Sequence, residues 1–362
     1  MDNECMTDDS GGARMGRWLQ NGSNGKLYPT DHPSPSPPAM STTTARPIEF
    51  DQPEPLRFLP EGPVAIGPDQ ISWVAIQHAA DATVGSLNLL DLNTHQNQSH
   101  DLPGRPGFAF PTGQTGVFVA GVERTIGLFN TGDGSWRSLA EGVDADVDNT
   151  IINDGVVVGD NLIFGCKDLE FQTKKAGLYL YRGRDQRLLR LRDDQICSNG
   201  KAILRHDGDT VEFLDIDSPA RTIVRYELDI ASGELSSGQV VVDFDGDPAV
   251  PDGQILAPDG RHTIVAMFHP EAADHGETRM IEIATGDVVH TWITPGSPQN
   301  TCPTLVSTSD GPRLVITTAV ENLDPAGRDR CPQAGRLFIA PTPFDSVPFE
   351  PVDPSSTFVP RE

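Results

Sequence analysis

The sequence predicts an all-β domain, a six-bladed β-propeller whose blades are four-stranded antiparallel sheets. Three observations lead to this prediction: short β-branched or aromatic runs, frequent Gly and Pro turns, and a recurring strand pattern. The 362 residues include 35 glycines and 31 prolines, and hydrophobic residues make up only 37% of the chain. This composition is typical of many short strands joined by turns, and no segment has a convincing helical period.

The recurring strand pattern alternates apolar and polar residues and ends in Asp, Asn or Thr followed by a turn. Six copies follow one another at intervals of about 40 to 55 residues, the length of one four-stranded blade. The copies begin at Leu87, Ile126, Leu178, Val224, Met280 and Arg336. Six such blades account for the chain after Pro60, so we expect one propeller domain over residues 51–362. The alternative, a pair of β-sandwiches, would need a linker, and no break in composition indicates one.

The first 50 residues have a different composition, rich in Ser, Asn, Gly and Pro and almost without hydrophobic periodicity. Such a segment buries too little apolar surface to offset its loss of conformational entropy. We therefore expect a disordered tail over residues 1–50.

The charge balance excludes two classes of partner. Lys and Arg total 27 against 52 Asp and Glu, a formal net charge of −25 at pH 7. This charge would repel nucleic acid and anionic membranes, whereas it raises the local concentration of cations. No signal-like or membrane-spanning apolar run is present, so we expect a soluble, cytoplasmic protein with a small-molecule ligand.

A short polar motif that includes glycine recurs in phase with the blades. It reads P-E-G-P at residues 60–63, I-N-D-G at 152–155, S-N-G at 198–200 and P-D-G at 251–253. Asn153 lies 92 residues after Glu61, Asn199 lies 46 residues further, and Asp252 another 53. We therefore expect each motif in the loop that enters the innermost strand of its blade, where the blades converge on the propeller axis.

Two carboxylates and two amide oxygens at one point form a set of hard oxygen ligands. Ca²⁺, Mg²⁺ and Mn²⁺ prefer such ligands, and Zn²⁺ is also held by them. The glycine after each ligand lets the backbone turn tightly. Taken alone each motif is an ordinary turn, like A-P-D-G-R at residues 257–261, which we expect to be a plain hairpin. The common phase is what indicates one divalent metal site.

The order of these motifs resembles the senescence marker protein/gluconolactonase family, which includes regucalcin and bacterial sugar lactonases. The resemblance extends from about Pro60 to Phe344. Besides the four polar motifs, it includes I-V-R-Y-E-L-D-I-A-S-G-E-L from Ile223, C-P-T-L-V from Cys302 and L-D-P-A-G from Leu323.

The resemblance implies a six-bladed propeller with one catalytic divalent ion, for which Ca²⁺ is the first candidate. Residues that match the family's ligands are Glu61, Asn199 and Asp252, while Asn153 matches a residue that faces both ion and substrate. The residue that matches Asp252 is also the proposed general base for water attack on a lactone. The resemblance therefore implies a metal-dependent lactonase.

One departure from the family concerns the substrate. Members that act on sugar lactones commonly carry Arg two positions before the asparagine of N-D-G, and here that position is Ile151. Asp168 or Glu170 matches a substrate-contacting acid, and Lys167 is a candidate replacement for the missing positive charge. Two alternatives to a sugar lactonase stay open. One is a non-catalytic Ca²⁺-binding or interaction propeller, and the other is a hydrolase of aryl esters or organophosphates at the same metal site.

Overall fold

The computed structural model describes residues 41–346 and Phe358. Within these residues the chain forms six β-sheets whose innermost strands contact one another in a closed ring. The prediction of a six-bladed propeller with mainly four-stranded antiparallel blades is confirmed.

The chain begins with two short strands, β1 (Ser41–Thr44) and β2 (Arg46–Pro47), and then builds the blades in order. Blade 1 comprises, from axis to rim, β3 (Pro60–Gly67), β4 (Gln70–Ala75), β5 (Ser86–Asp91) and β6 (Gln96–Asp101). Blade 2 comprises β7 (Pro106–Pro111), β8 (Val117–Val122), β9 (Thr125–Asn130) and β10 (Trp136–Ala140). Blade 3 comprises β11 (Thr150–Val158), β12 (Asn161–Asp168), β13 (Ala176–Arg182) and β14 (Arg187–Gln195).

The remaining blades follow the same plan with additions at the rim. Blade 4 comprises β15 (Ser198–Asp207), β16 (Thr210–Asp217) and β17 (Thr222–Asp229), with β18 (Glu234–Leu235) and β19 (Gln239–Asp243) both paired to β17. Blade 5 comprises β20 (Val250–Leu256), β21 (His262–Phe268), β22 (His275–Glu282) and β23 (Val288–Pro295). Blade 6 comprises β24 (Asn300–Thr308), β25 (Gly311–Thr318) and β26 (Phe338–Pro341). The strand pattern found in the sequence is the third strand of each blade.

Short helices occupy connections between the strands. They are two 3₁₀ turns, Glu54–Arg57 and Ser218–Ala220, and the helix α1 (Pro325–Arg330). The carboxylate of Asp324 accepts the backbone N–H of Gly327 at 2.7 Å and so caps α1. Within the described residues, no helix is long and apolar enough to cross a membrane.

The ring is closed by strands from both ends of the described range. β2 pairs with β26 and becomes the outer strand of blade 6, while β1 adds a parallel fifth strand to β23 of blade 5. The expected boundary at residue 50 is therefore wrong, because residues 41–50 include two strands of the propeller. The rest of the expected tail, residues 1–40, lies outside the described residues.

The hydrophobic core is divided among the junctions between blades. The described residues contain six clusters of buried apolar side chains. Five lie between two neighbouring blades, and the cluster between blades 1 and 2 also includes Phe268 of blade 5 and residues that follow β25 of blade 6. Between blades 2 and 3, for example, the rings of Phe108 and Phe164 lie 6.0 Å apart, and Phe358 packs against Tyr181. The apolar core therefore surrounds the axis, and the axial end of the innermost strands is left to polar groups.

Each innermost strand carries an irregularity near its start. The pairing register shifts at Glu61/Val64, Pro106/Phe108, Ile152/Gly155, Asn199/Lys201, Pro251/Gln254 and Asn300/Cys302. Such β-bulges locally bend a strand and redirect its side chains. All four polar motifs fall at these bulges.

We predict that the ring depends on β1 and β2. A chain that starts at Ile48 should have a free energy of unfolding at least about 2 kcal/mol below one that starts at Ser41, the scale of several lost backbone hydrogen bonds. It also exposes the outer edges of β23 and β26 and removes Ala45, which is 2% exposed. Urea unfolding followed by circular dichroism measures the difference, and equal stabilities would contradict the prediction.

Candidate metal centre

The four residues singled out by the phase of the motifs lie inside the innermost strands, at the bulges. Glu61 is in β3, Asn153 in β11, Asn199 in β15 and Asp252 in β20. All four are buried, with exposed fractions of 6–8%. The expectation that they occupy the loops before these strands is wrong by one to three residues, because each strand begins at or just before the first residue of its motif.

The structure brings these four side chains together in one cavity of about 490 Å³. Blades 1, 3, 4, 5 and 6 contribute to its lining, and blade 2 contributes none of the lining residues. At the corresponding place in blade 2 stands Gly107, where a Cβ atom would lie 2.2 Å from the carbonyl oxygen of Asn153. The backbones of β7 and β11 are therefore too close there for a side chain.

Hydrogen bonds hold the two asparagines in fixed orientations. Asn153 donates through Nδ2 to Oδ1 of Asn199 at 3.0 Å and to the carbonyl oxygen of Ser198 at 2.9 Å. Asn199 donates through Nδ2 to the Oγ of Ser218 at 2.9 Å. Among the described residues, no hydrogen bond reaches Oδ1 of Asn153, and Oδ1 of Asn199 accepts only the one from Asn153. Both amides therefore retain oxygen lone pairs for a ligand.

The two carboxyl groups are held where their charged forms are unfavourable. Burial, together with the nearby Asp154 carboxylate, raises the pKa of Glu61 to about 8. Burial and the charge of Glu61 raise the pKa of Asp252 well above its ordinary value. Glu61 receives one compensating bond, from the backbone N–H of Gly62 at 2.8 Å. Without a cation, Glu61 therefore favours the protonated form near neutral pH, and burial disfavours the charged form of Asp252 as well.

The residues fit an oxygen-ligated divalent cation. Oδ1 of Asp252 is buried and has no hydrogen-bond partner among the described residues, so it is an acceptor for which the protein supplies no donor. A cation would satisfy this oxygen and remove the repulsion from Glu61. Since the described residues contain no cluster of three or more His, Cys, Asp or Glu suited to a metal, the amide oxygens would have to complete the ligand set.

Lys167 also lines the cavity, and Ile151 is its direct cross-strand partner. Both are buried, with exposed fractions of 4% and 2%. A positive side chain thus stands on the strand beside Ile151, as the replacement hypothesis requires. Whether it contacts substrate stays a prediction.

Asp168 and Glu170 are not among the residues that line the cavity. Asp168 is fully buried, and its carboxylate accepts the backbone N–H groups of residues 170, 172 and 173 and pairs with Lys175 at 3.0 Å. Although burial opposes it, these donors hold the pKa of Asp168 at about 2. Asp168 is therefore corrected from a substrate contact to the anchor of the loop after β12. Glu170 is exposed on that loop.

A buried ion pair next to Asn199 was not predicted from the sequence. Lys201 Nζ lies 3.1 Å from Oδ1 of Asp215, its cross-strand partner, and donates to the carbonyl oxygen of Asn199 at 2.8 Å. Gln195 donates to the other oxygen of Asp215 at 2.7 Å. The available signal was a lysine inside an innermost strand, where a buried ammonium needs an opposite charge on a neighbouring strand.

We predict that replacing one member of this ion pair lowers the free energy of unfolding more than replacing both. Lys201→Met leaves the Asp215 carboxylate buried and unpaired and should lower the free energy of unfolding by about 3–5 kcal/mol. Lys201→Met combined with Asp215→Leu should recover most of that loss, since no buried charge is left. Lys174→Met, at an exposed lysine, is the control and should change the free energy of unfolding by less than about 0.5 kcal/mol. Urea unfolding measures these free energies, and a double variant as unstable as the single one would refute the prediction.

A family model described as the SMP-30/Gluconolactonase/LRE-like region matches residues 59–320. The chain is 30% identical over 190 residues to a Bacillus subtilis protein named "Putative sugar lactone lactonase YvrE", which covers 51% of this chain and 60% of that protein. It is 26% identical over 231 residues to regucalcin of Oryctolagus cuniculus, which covers 62% of this chain and 73% of the relative. The match thus spans less than two thirds of the Bacillus protein.

Solved structures share the fold. The calcium-binding protein regucalcin of Agrobacterium tumefaciens superposes with a TM-score of 0.69 at 21% identity, covering 85% of this chain and 98% of its own. A luciferin-regenerating enzyme superposes with a TM-score of 0.65 at 20% identity, covering 80% and 93%. Because the family model spans most of the propeller, including all four axial motifs, the chain belongs to the SMP-30/gluconolactonase/LRE-like family.

Proposed function

We propose that this protein is a divalent-metal-dependent hydrolase that opens a lactone, a sugar lactone or a related cyclic ester. The observation that carries the proposal is the pair of buried carboxyl groups, Glu61 and Asp252, in one axial cavity with two oriented amides. The unpartnered oxygen of Asp252 supports a cation at this point. The name of the Bacillus relative supports the reaction class.

Glu61, Asn199 and Asp252 would hold the ion, and Asn153 would help to position both ion and substrate. Ca²⁺ is the first choice because every available donor is an oxygen, and Mg²⁺, Mn²⁺ and Zn²⁺ are the alternatives. Bound there, the cation would supply polarisation of the ester carbonyl and stabilise the charge that develops on its oxygen.

Asp252 is the proposed general base. A water molecule adds to the lactone carbonyl carbon, and the Asp252 carboxylate takes up one of its protons. The ring C–O bond then breaks, the ring oxygen recovers that proton, and a hydroxy acid leaves. The apolar side chains around the cavity limit the access of further water, which strengthens charge interactions at the site.

The chain offers a matched pair of aspartates to test this role. Asp252→Ala should abolish metal binding and lower kcat/KM for lactones by at least about 100-fold. Asp259 stands in a second P-D-G motif, in the exposed hairpin between β20 and β21, and Asp259→Ala should retain both properties. Calorimetric metal titration and a hydrolysis assay measure the two effects. Retention of metal and activity by Asp252→Ala would sink the proposal.

A substrate panel separates the proposal from its alternatives. Wild-type protein is assayed on aldonolactones, aryl esters and paraoxon-type phosphotriesters, each with Ca²⁺, Mn²⁺ and Zn²⁺. Turnover of lactones above the other classes supports the proposal. Turnover of only the aryl esters or phosphotriesters assigns the site to that chemistry, and metal binding without turnover of any substrate assigns it to a binding propeller.

We also predict that metal binding releases protons. With a pKa of about 8, Glu61 holds a proton at pH 7 in the cation-free protein and must lose it on binding. Release of at least about one proton per ion is expected at pH 7, and affinity should rise as the pH approaches about 8. Glu61→Gln should release about one proton fewer. Calorimetry in two buffers of different ionisation enthalpy counts the protons, and heats independent of the buffer would contradict the prediction.

A further inference from the structure

The ammonium group of Lys167 has no protein partner. The residue is 4% exposed, yet among the described residues nothing hydrogen-bonds or ion-pairs with its Nζ. The ammonium lies over the ring of Phe171, whose centroid is 5.9 Å away. A buried charge normally needs a counter-ion or hydrogen bonds, because desolvation costs several kcal/mol. Lys201, at the same depth, has three such partners. Lys167 therefore has unused binding capacity, and it lines the cavity.

The nearby carboxyl groups do not use this capacity. The charge of Lys167 acts on Glu61 and Asp252, but neither of these carboxylates, nor that of Glu321 in the cavity lining, lies within ion-pair distance of its Nζ. A cation held by the two carboxylates would offset their charge as well. An anionic group of a ligand would then be the remaining counter-ion for the ammonium.

Much of the cavity wall is apolar, although Glu321 and Asn322 add polar groups to its lining. The apolar part is formed by Leu59, Ile76, Val250, Phe268 and Pro270. The amide nitrogens of Asn153 and Asn199 are engaged in hydrogen bonds within the protein, and the Ser218 hydroxyl accepts from Asn199. Along the apolar part, a ring with several hydroxyl groups would lose hydrogen bonds to water without regaining them from the protein.

Phe171 is held over Lys167 by an unusual backbone. Its φ of 53° lies in the left-handed region, which is uncommon for a bulky residue, and its side chain is 46% exposed while lining the cavity. The Asp168 carboxylate fixes this loop through three backbone N–H groups. Strain of this kind persists where surrounding structure imposes it and clusters at ligand sites. The loop thus presents an aromatic face at the cavity next to the ammonium.

We propose that the site selects a lactone with a largely apolar body and a carboxylate substituent, which pairs with Lys167 while the body packs against Phe171 and the apolar wall. This inference rests on the proposed lactonase function. Lys167 is then the residue that determines specificity, and neutral polyhydroxylated lactones are poor substrates.

The test compares two substrates that differ only in charge. They are 5-oxotetrahydrofuran-2-carboxylate and its neutral primary carboxamide, assayed with the metal ion that gives the highest activity. Wild-type protein should prefer the carboxylate by about 10- to 100-fold in kcat/KM, the range of one hydrogen bond to a charged group, and mostly through KM. Lys167→Met should bring this ratio to about 1, and Lys167→Arg should restore part of it.

Two controls keep the outcome decisive. Lys174→Met removes an exposed charge from the same loop and should leave the ratio unchanged. The thermal midpoint of Lys167→Met should not fall, since no protein partner is lost; if that variant does not fold, Lys167→Gln replaces it. No preference in the wild type, or an undiminished preference in the folded variant, overturns the inference while leaving lactone hydrolysis intact.

A binding experiment tests the anion site independently of lactone hydrolysis. If no lactone is opened, calorimetry compares 3-oxocyclopentane-1-carboxylate, which cannot be hydrolysed, with its carboxamide. Tighter binding of the carboxylate, lost in Lys167→Met, would keep the anion site and reject the lactonase. Equal binding of the two compounds, or no binding of either, would reject the anion site too.

Discussion

The close approach of the innermost strands is the constraint on which the site depends. Where these strands begin, the backbones of neighbouring blades come so near that a Cβ on Gly107, Gly200 or Gly253 would lie 2.2–2.6 Å from atoms of the next blade. The β-bulges take up this crowding, and beside Gly200 and Gly253 they place a polar side chain, Asn199 and Asp252 respectively. Only Gly62 among the glycines after the four motif residues needs a positive φ, of 49°. The lack of room for a Cβ atom, more than a need for positive φ, therefore explains the glycines in these motifs.

Burying polar groups at the axis obliges the chain to pair nearly all of them. Asn153 and Asn199 bind each other, and Lys201 binds Asp215 and the backbone of Asn199. Against this background two groups of the cavity are notable: Oδ1 of Asp252 is buried without a hydrogen-bond partner, and the ammonium of Lys167, at the cavity wall, has no hydrogen-bond or ion-pair partner among the described residues. They favour ligands of opposite charge, so the proposed cation and the proposed anionic group would satisfy both. The unsatisfied groups thus indicate where a ligand belongs, because leaving them unpaired in the working protein would cost free energy.

The stability of the ring is separated from the chemistry of its axis. Apolar clusters at the junctions between blades pack the blades together, and β2 completes blade 6 at the rim. This arrangement lets the axis carry raised carboxyl pKa values and an unpaired ammonium. The loop after β12 also combines the two roles: the buried Asp168 carboxylate stabilises the loop, and the loop fixes the position of the exposed Phe171 ring at the cavity.

The propeller and its six blades could be predicted from the sequence, as could the common phase of Glu61, Asn153, Asn199 and Asp252, because strand periodicity and blade length are local properties of the chain. The tertiary structure was needed to show that residues 41–47 complete blades 5 and 6, since such short strands gain stability from partners more than 200 residues away. It also separated Lys167 from Asp168. They are adjacent in sequence, but successive side chains of a strand point to opposite faces, so one lines the cavity and the other anchors a loop.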